Sequence, residues 1–133
     1  MKNLFFSIRP FYNFPALFLL RFAAGTTILL LHGIPKLRQL LEGNMSFADP
    51  LGLGSAVSLY LAVFAEVICS SLIIIGLFTR LALIPLIVNM AAAFFIIHRG
   101  DGLAAKESAF LYLSIFITLF LTGPGKFSLD RYF

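Results

Sequence analysis

Four long apolar runs dominate this 133-residue chain, and they constrain its fold more than any other feature. They cover residues 15–34, 55–78, 81–97 and 108–122. A helix needs about 20 mainly apolar residues to cross the hydrocarbon core of a bilayer. The sequence therefore predicts an all-α, polytopic membrane protein, a four-transmembrane-helix bundle that forms a single domain over residues 1–133.

The composition excludes an ordinary water-soluble domain. Hydrophobic residues make up 60% of the chain and charged residues 12%, whereas soluble domains average about 45–50% and about 25%. The net charge is +4, but the basic residues stand singly between apolar runs. This pattern favours contact with anionic lipid and control of topology over nucleic-acid binding. Cys69 is the single cysteine, so the chain has no internal disulfide and no thiol pair.

Turn residues separate the apolar runs. Gly33-Ile34-Pro35 predicts the end of the first helix, and the segment 42–54 is rich in loop-forming residues. The short connection 76–80 predicts an antiparallel hairpin of the second and third helices. Because Arg21 interrupts the first run, which then continues to Ile34, we expect this run to be a retained span and not a cleaved signal peptide. The aromatic residues before it are predicted to lie at the membrane interface: Phe5, Phe6, Phe11, Tyr12 and Phe14.

The topology prediction depends on the basic residues outside the spans, because cytoplasmic loops carry an excess of Lys and Arg. One side of the predicted bundle holds Lys2, Arg9, Arg80, Lys126 and Arg131. The other side holds Lys36, Arg38, Arg99 and Lys106. Five against four favours both termini in the cytoplasm, in a multi-pass protein of the cell membrane.

Two charged residues lie within the apolar runs, Arg21 in the first and Glu66 in the second. Charges at this depth are costly and face a bundle interior or a cavity. Since sequential helices are antiparallel, we expect an Arg21–Glu66 ion pair, or a water-linked network between them. The alternative is that such a pair only fixes helix packing.

Helical spacing extends this expectation to a polar core. Each of three helices carries one polar stripe. The stripes are Arg21, Gly25, Ile28 and His32; Ala62, Glu66, Cys69 and Ser70; and Glu107, Leu111, Ser114 and Thr118. Lys36 joins the first stripe if the helix continues past Pro35. The predicted core, which is also the candidate ligand site, contains Arg21, Glu66, Ser70, Asn89 and Ser114.

A polar mouth is predicted at one membrane side, where helices one and three end and helix four begins. Its candidate residues are His32, Lys36, His98 and Glu107. Their spacing matches no short metal motif, so interfacial hydrogen bonding is favoured over a metal site. Asn89 and His98 are expected on opposite faces of an ideal helix, unless a kink at Pro85 changes their relation.

Three stretches together resemble the DoxX family of small membrane proteins. They are LLRFAAGTTILLLHGIPKL (19–37), AVFAEVICSSLIIIGLFTRLA (62–82) and KESAFLYLSIFITLFLTGPGKFSLD (106–130). The resemblance implies a four-helix membrane bundle. It also implies a link to membrane redox systems, since the family takes its name from a membrane subunit of a thiosulfate:quinone oxidoreductase. Most members have no assigned role, and a lone Cys69 argues against dithiol chemistry in this chain.

Three functions are open from the sequence. The first is an auxiliary or anchoring subunit of a thiol- or quinone-linked redox system, with a protein partner and no activity of its own. The second is a binding or transport module for a small apolar molecule or lipid, which could be completed by a homo-oligomer. The third is a structural factor in which the buried charges only set packing. The sequence contains no cofactor motif and no identifiable catalytic residue; a quinone is the cofactor that the resemblance suggests.

Overall fold

The computed structural model describes Ser7 and residues 13–133. Within this part, four helices are long and apolar enough to cross a membrane: α1 (Pro15–Leu41), α2 (Ser55–Ile75), α3 (Thr79–Ile97) and α4 (Leu103–Thr122). No strand occurs among these described residues. The predicted all-α, four-helix fold is confirmed. The predicted interfacial aromatic side chains, from Phe5 to Phe14, lie outside what the structure describes.

The helices form an antiparallel bundle in which each packs on the next and α4 closes against α1. Ile28, Ile73, Leu86 and Phe116 are fully buried at its centre. The outer surface is also apolar, and Leu121 is 73% exposed there. Such a surface suits lipid, which imposes no penalty on exposed apolar side chains.

Three of the spans contain a π-helical turn in the described chain. These turns are Leu29–Gly33 in α1, Phe64–Cys69 in α2 and Ala93–Ile97 in α3. A π turn inserts one residue into an α-helix, so it changes the face on which the following side chains lie. Such turns are rare and concentrate at functional sites.

α1 is longer than the sequence predicted, because it continues through Pro35 to Leu41. In a regular α-helix the ring of Pro35 would clash with the carbonyl of Leu31, four residues earlier. The π turn Leu29–Gly33 lies directly before Pro35, and its wider winding moves that carbonyl away. The helix is thus deformed at Pro35 but not ended, and Lys36 lies within the bundle.

Arg21 is fully buried and binds backbone carbonyls. Its guanidinium donates to the Ile73 carbonyl at 2.7 Å, to the Ile74 carbonyl at 3.3 Å and to the Phe127 carbonyl. The last carbonyls of a helix have no partner within it. Arg21 therefore satisfies the end of α2 and ties the C-terminal segment to it. Gly76 makes room, since a Cβ there would lie 2.6 Å from the Arg21 guanidinium.

Asp130 in the C-terminal segment caps the start of α3. Its carboxylate accepts hydrogen bonds from the backbone N–H of Phe78 at 2.6 Å and of Thr79 at 2.9 Å. Its own backbone N–H donates to the Gly76 carbonyl at 2.9 Å. Arg21 and Asp130 together close this end of the bundle.

The stability that Asp130 provides should depend on pH. Partial burial raises the pKa of its carboxyl, but hydrogen bonds from Thr79 and Phe78 and the charge of Arg21 outweigh this, so the pKa lies below its ordinary value of 3.8. A lowered folded-state pKa stabilises the protein above the ordinary Asp pKa, and the stabilisation is lost as pH falls through the lowered value.

We therefore expect Asp130→Asn to lower the unfolding free energy by about 1 kcal/mol near neutral pH, the typical worth of a helix cap. The difference should disappear in acid as the wild-type carboxylate becomes protonated. Thermal unfolding in detergent across a pH series measures this. Glu42→Gln, which changes an exposed carboxylate at the other end of the bundle, is the control. Parallel pH profiles for wild type and Asp130→Asn would contradict the prediction.

Candidate functional site

Glu66 is the centre of a buried polar cluster that joins three helices. Its side chain is 3% exposed. Lys36 Nζ on α1 donates to both carboxylate oxygens, at 2.7 and 3.0 Å. Asn89 Nδ2 on α3 donates to Oε1 at 2.9 Å. The carboxylate is thus neutralised by α1 and hydrogen-bonded by α3.

The predicted direct ion pair between Arg21 and Glu66 is wrong. Arg21 lies beside Ile73 and Ile74, about two helical turns further along α2 than Glu66. Lys36 occupies the place predicted for Arg21 because α1 does not end at Pro35. The two buried charges therefore belong to separate networks at different depths.

Gly33 allows α1 and α2 to approach each other beside this cluster. A Cβ at Gly33 would lie 2.5 Å from the carbonyl oxygen of Glu66, a distance that real side chains do not adopt. Gly33 ends the π turn of α1, and Glu66 lies within the π turn of α2. The close approach brings Lys36, one turn beyond Gly33, to the Glu66 carboxylate.

A cavity of about 540 Å³ adjoins the Lys36–Glu66 pair. It lies at the end of the bundle that carries the α1–α2 and α3–α4 connections. Part of its wall is apolar and comes from Met90, Ala93 and Ile97 on α3, and Phe47 of the α1–α2 connection also lines it. The charged, histidine and tyrosine side chains that line the cavity are His32, Lys36, Glu66, His98, Lys106 and Tyr112.

The structure brings three of the four predicted mouth residues together. His32, Lys36 and His98 line the cavity, whereas Glu107 lines a separate groove on the outer side of α4. The His32 ring packs edge-on against Tyr112, with centroids 5.9 Å apart. His98 Nδ1 contacts Asp101 Oδ2 at 2.9 Å at the rim.

The residues of the predicted polar core lie in different parts of the bundle. Asn89 contacts Glu66 directly. Ser70 is buried, but its hydroxyl donates to the Glu66 backbone carbonyl within α2. Ser114 is exposed on α4 and donates to the Phe110 carbonyl at 2.9 Å. A serine that bonds its own helix needs no polar neighbour, so the stripe containing Ser114 faces outward and the prediction chose the wrong side of α4.

A π turn explains why Asn89 and His98 both lie near the site. Nine residues of ideal helix turn through about 900°, which leaves two side chains on opposite faces. The turn Ala93–Ile97 inserts one residue and reduces the angle between them to about 80°. Pro85 lies before both residues, so a kink there does not change their relation.

The sequence analysis gives α4 a part in the site but misses the face of α4 that lines the cavity. Ala105, Ser108, Ala109 and Tyr112 all line the cavity, and their spacing is that of one helical face. That face carries small residues and could have been found beside the polar stripe. Lys106 also lines the cavity, and its Nζ lies 4.5 Å from the centroid of the Phe94 ring.

No group of three or more potential metal-ligating side chains occurs in the part of the chain that the structure describes. Cys69 is 2% exposed and belongs to the apolar core together with Ile73 and Leu86. Its thiol therefore lies among packed side chains and does not line the cavity.

Sequence comparison with known proteins finds one family model and two uncharacterised relatives. The DoxX family model matches residues 16–99, a range that includes Lys36, Glu66 and Asn89. A Haemophilus influenzae protein described as uncharacterised is 34% identical over 115 residues, covering 78% of this chain and 81% of its own length. An uncharacterised membrane protein of Mycobacterium tuberculosis is 31% identical over 81 residues, covering 50% of this chain and 49% of its own. No solved structure matches.

The close contact at Gly33 gives a direct test of the helix packing. Gly33→Ala should destabilise the protein by about 1–3 kcal/mol, because the backbone of Glu66 cannot yield to the new methyl group. Gly100→Ala is the control, since a Cβ there meets nothing within 4 Å. Unfolding by a denaturing detergent in mixed micelles measures both. Equal stabilities of the two variants would show that α1 and α2 are not held this close.

The Lys36–Glu66 pair should show strong energetic coupling. Lys36→Met and Glu66→Gln should each cost roughly 2–4 kcal/mol, because each leaves a buried group without its charged partner. The double variant should cost clearly less than the sum, and the difference is the coupling energy. Arg38→Met, at an exposed position two residues further along α1, should change little. Additive single costs would mean that the pair is not formed.

Proposed function

The chain belongs to the DoxX family. We propose that it is a membrane-embedded binding protein that holds one small amphipathic molecule beside the Lys36–Glu66 pair. The cavity carries this proposal. Its volume of about 540 Å³ falls within the range of about 300–1,000 Å³ that is typical of small-molecule sites. It also combines apolar walls with a few polar groups, the arrangement that fixes the orientation of a ligand.

Hydrogen-bond donors dominate the polar lining of the cavity. The Glu66 carboxylate already accepts three hydrogen bonds, from Lys36 and Asn89. Lys36, Lys106 and the Tyr112 hydroxyl offer donors. A ligand whose polar end accepts hydrogen bonds and whose body is apolar therefore suits the site.

We assign binding and not turnover to this chain. The Glu66 carboxylate is held in place by the ion pair with Lys36 and by the amide of Asn89. These contacts suit a structural or positioning role better than a role as a catalytic acid or base. Cys69, the one thiol of the sequence, is packed in the core. Any chemistry on the ligand would then belong to a partner protein.

A redox subunit is the second candidate, and the donor-rich lining favours it. The carbonyl oxygens of a quinone accept hydrogen bonds, and Lys36 and His32 both line the cavity. In this version the chain holds a quinone head group for a redox partner, as the resemblance to DoxX implies. With both termini in the cytoplasm, as the basic residues favour, the cavity opens to the opposite face of the cell membrane.

Adjacent alanines on α4 provide a matched test. Ala105 lines the cavity, whereas Ala104 lines the outer groove, and both are exposed. Native mass spectrometry of the protein, released gently from its own membrane, should show a bound mass of a few hundred daltons. Ala105→Phe should remove that mass while the variant still elutes as folded protein in detergent, and Ala104→Phe should retain it.

The identity of the bound mass distinguishes the candidates. A quinone would support the redox subunit, and a lipid-like molecule would support the general binding module. Retention of the ligand by Ala105→Phe would exclude this cavity as the site. A chain that carries no ligand in any variant would favour the structural role, in which the buried charges only set helix packing.

A further inference from the structure

Resting on the proposed function, we propose that the ligand is a single-chain amphiphile with a monoanionic head group, such as a long-chain carboxylate. The apolar chain lies along the α3 wall, and the head contacts the lysines. The inference comes from three features of the cavity: its net charge, the position of Lys106 and its size.

The charges that line the cavity do not cancel. Lys36 and Glu66 neutralise each other at 2.7 Å. Lys106 lines the same cavity and, among the described residues, contacts an aromatic ring and no carboxylate. The lining therefore carries a formal charge of +1, counting Lys36, Lys106 and Glu66, with the histidines neutral. An unpaired charge is costly beside apolar surface, and a ligand with one negative charge removes that cost.

The surroundings of Lys106 fit an anion better than a neutral head group. Its ammonium lies over the Phe94 ring, which stabilises the cation without using it as an ion-pair partner. Asp101, the acidic residue of the α3–α4 connection, contacts His98 instead. Glu107 lines the other groove. No acidic side chain of the described cavity wall other than Glu66 competes with a ligand anion.

Size and shape favour one acyl chain. The α3 wall from Met90 to Ile97 is about 10 Å long, and it carries the apolar residues Met90, Ala93 and Ile97. A volume of about 540 Å³ suits a drug-sized molecule and is small for a two-chain phospholipid. A free fatty acid and a phospholipid both offer an anionic head on an acyl chain, and the cavity favours the former.

The absence of tryptophan from the sequence allows a fluorescent reporter at one chosen position. Phe47 lines the cavity, so Phe47→Trp places the fluorophore on its wall. Phe95→Trp is the matched control, because Phe95 is 61% exposed on the outer surface of α3. Dibromostearic acid, in which bromine quenches nearby indoles, is the probe, and its methyl ester is the neutral analogue. Both variants are first checked for wild-type melting and elution in detergent.

We expect the acid to quench F47W with saturation at about one molecule per chain, and to quench F95W only in proportion to its amount in the micelle. The ester should bind F47W at least tenfold more weakly. Adding Lys106→Gln to F47W should weaken binding of the acid about fivefold or more, since a charge-assisted contact is lost. Adding Arg99→Gln, an exposed change outside the cavity wall, should not.

The contrary outcomes separate the two proposals. If the ester or a brominated quinone saturates F47W as tightly as the acid, or if Lys106→Gln behaves as Arg99→Gln, the monoanionic head is wrong while the binding site stands. Tighter saturation by brominated phosphatidylglycerol than by the acid would overturn the single-chain ligand. If the acid, the ester and the quinone all fail to saturate F47W, both this inference and the proposed binding function fail.

Discussion

The Lys36–Glu66 ion pair is the interaction on which this bundle depends. A carboxylate inside an apolar bundle needs a cation and further hydrogen bonds, because neither lipid nor packed side chains replace water. The cation, Lys36, reaches Glu66 only if α1 continues past Pro35, and the π turn of α1 allows this. Lys36 also reaches Glu66 only if α1 and α2 lie close together, and Gly33 allows that. Asn89 then brings in α3. One buried charge thus determines the position of three helices.

The opposite end of the bundle neutralises charge in a different way. Arg21 donates through its terminal guanidinium nitrogens to backbone carbonyls at the end of α2 and in the C-terminal segment, and Asp130 accepts from backbone N–H groups at the start of α3. Helix termini leave such groups without partners, so charged side chains and orphaned backbone groups satisfy each other. Neither Arg21 nor Asp130 lines the groove of about 320 Å³ that the C-terminal segment forms at this end.

The apolar runs and the turn residues were enough to predict four antiparallel helices. They were not enough to predict which faces meet, because a π turn changes the face without a signal in hydrophobic periodicity. The sequence therefore predicts a helix end at Pro35 and an Arg21–Glu66 pair, whereas α1 continues to Leu41 and Lys36 binds Glu66. The prediction for Ser114 fails for another reason. Its hydroxyl donates to a carbonyl of its own helix, so a polar side chain does not by itself show which face of a helix points inward. His32, Lys36 and His98 line one cavity, and their proximity is predictable because helix ends at the same membrane side meet whatever their rotation.

Comparison of the two ends argues for a function at one of them. If buried charges served only to set helix packing, both ends could be closed as Arg21 and Asp130 close theirs. At the other end the Lys36–Glu66 pair borders a cavity of about 540 Å³, and each of the three described π turns contributes to its lining, with His32, Glu66 and Ala93. Cavities and π turns both reduce stability relative to a packed, regular helix. A cavity and π turns lie together here, beside Lys106, which has no carboxylate partner among the described residues. This combination is expected of a ligand site and is not required by the fold.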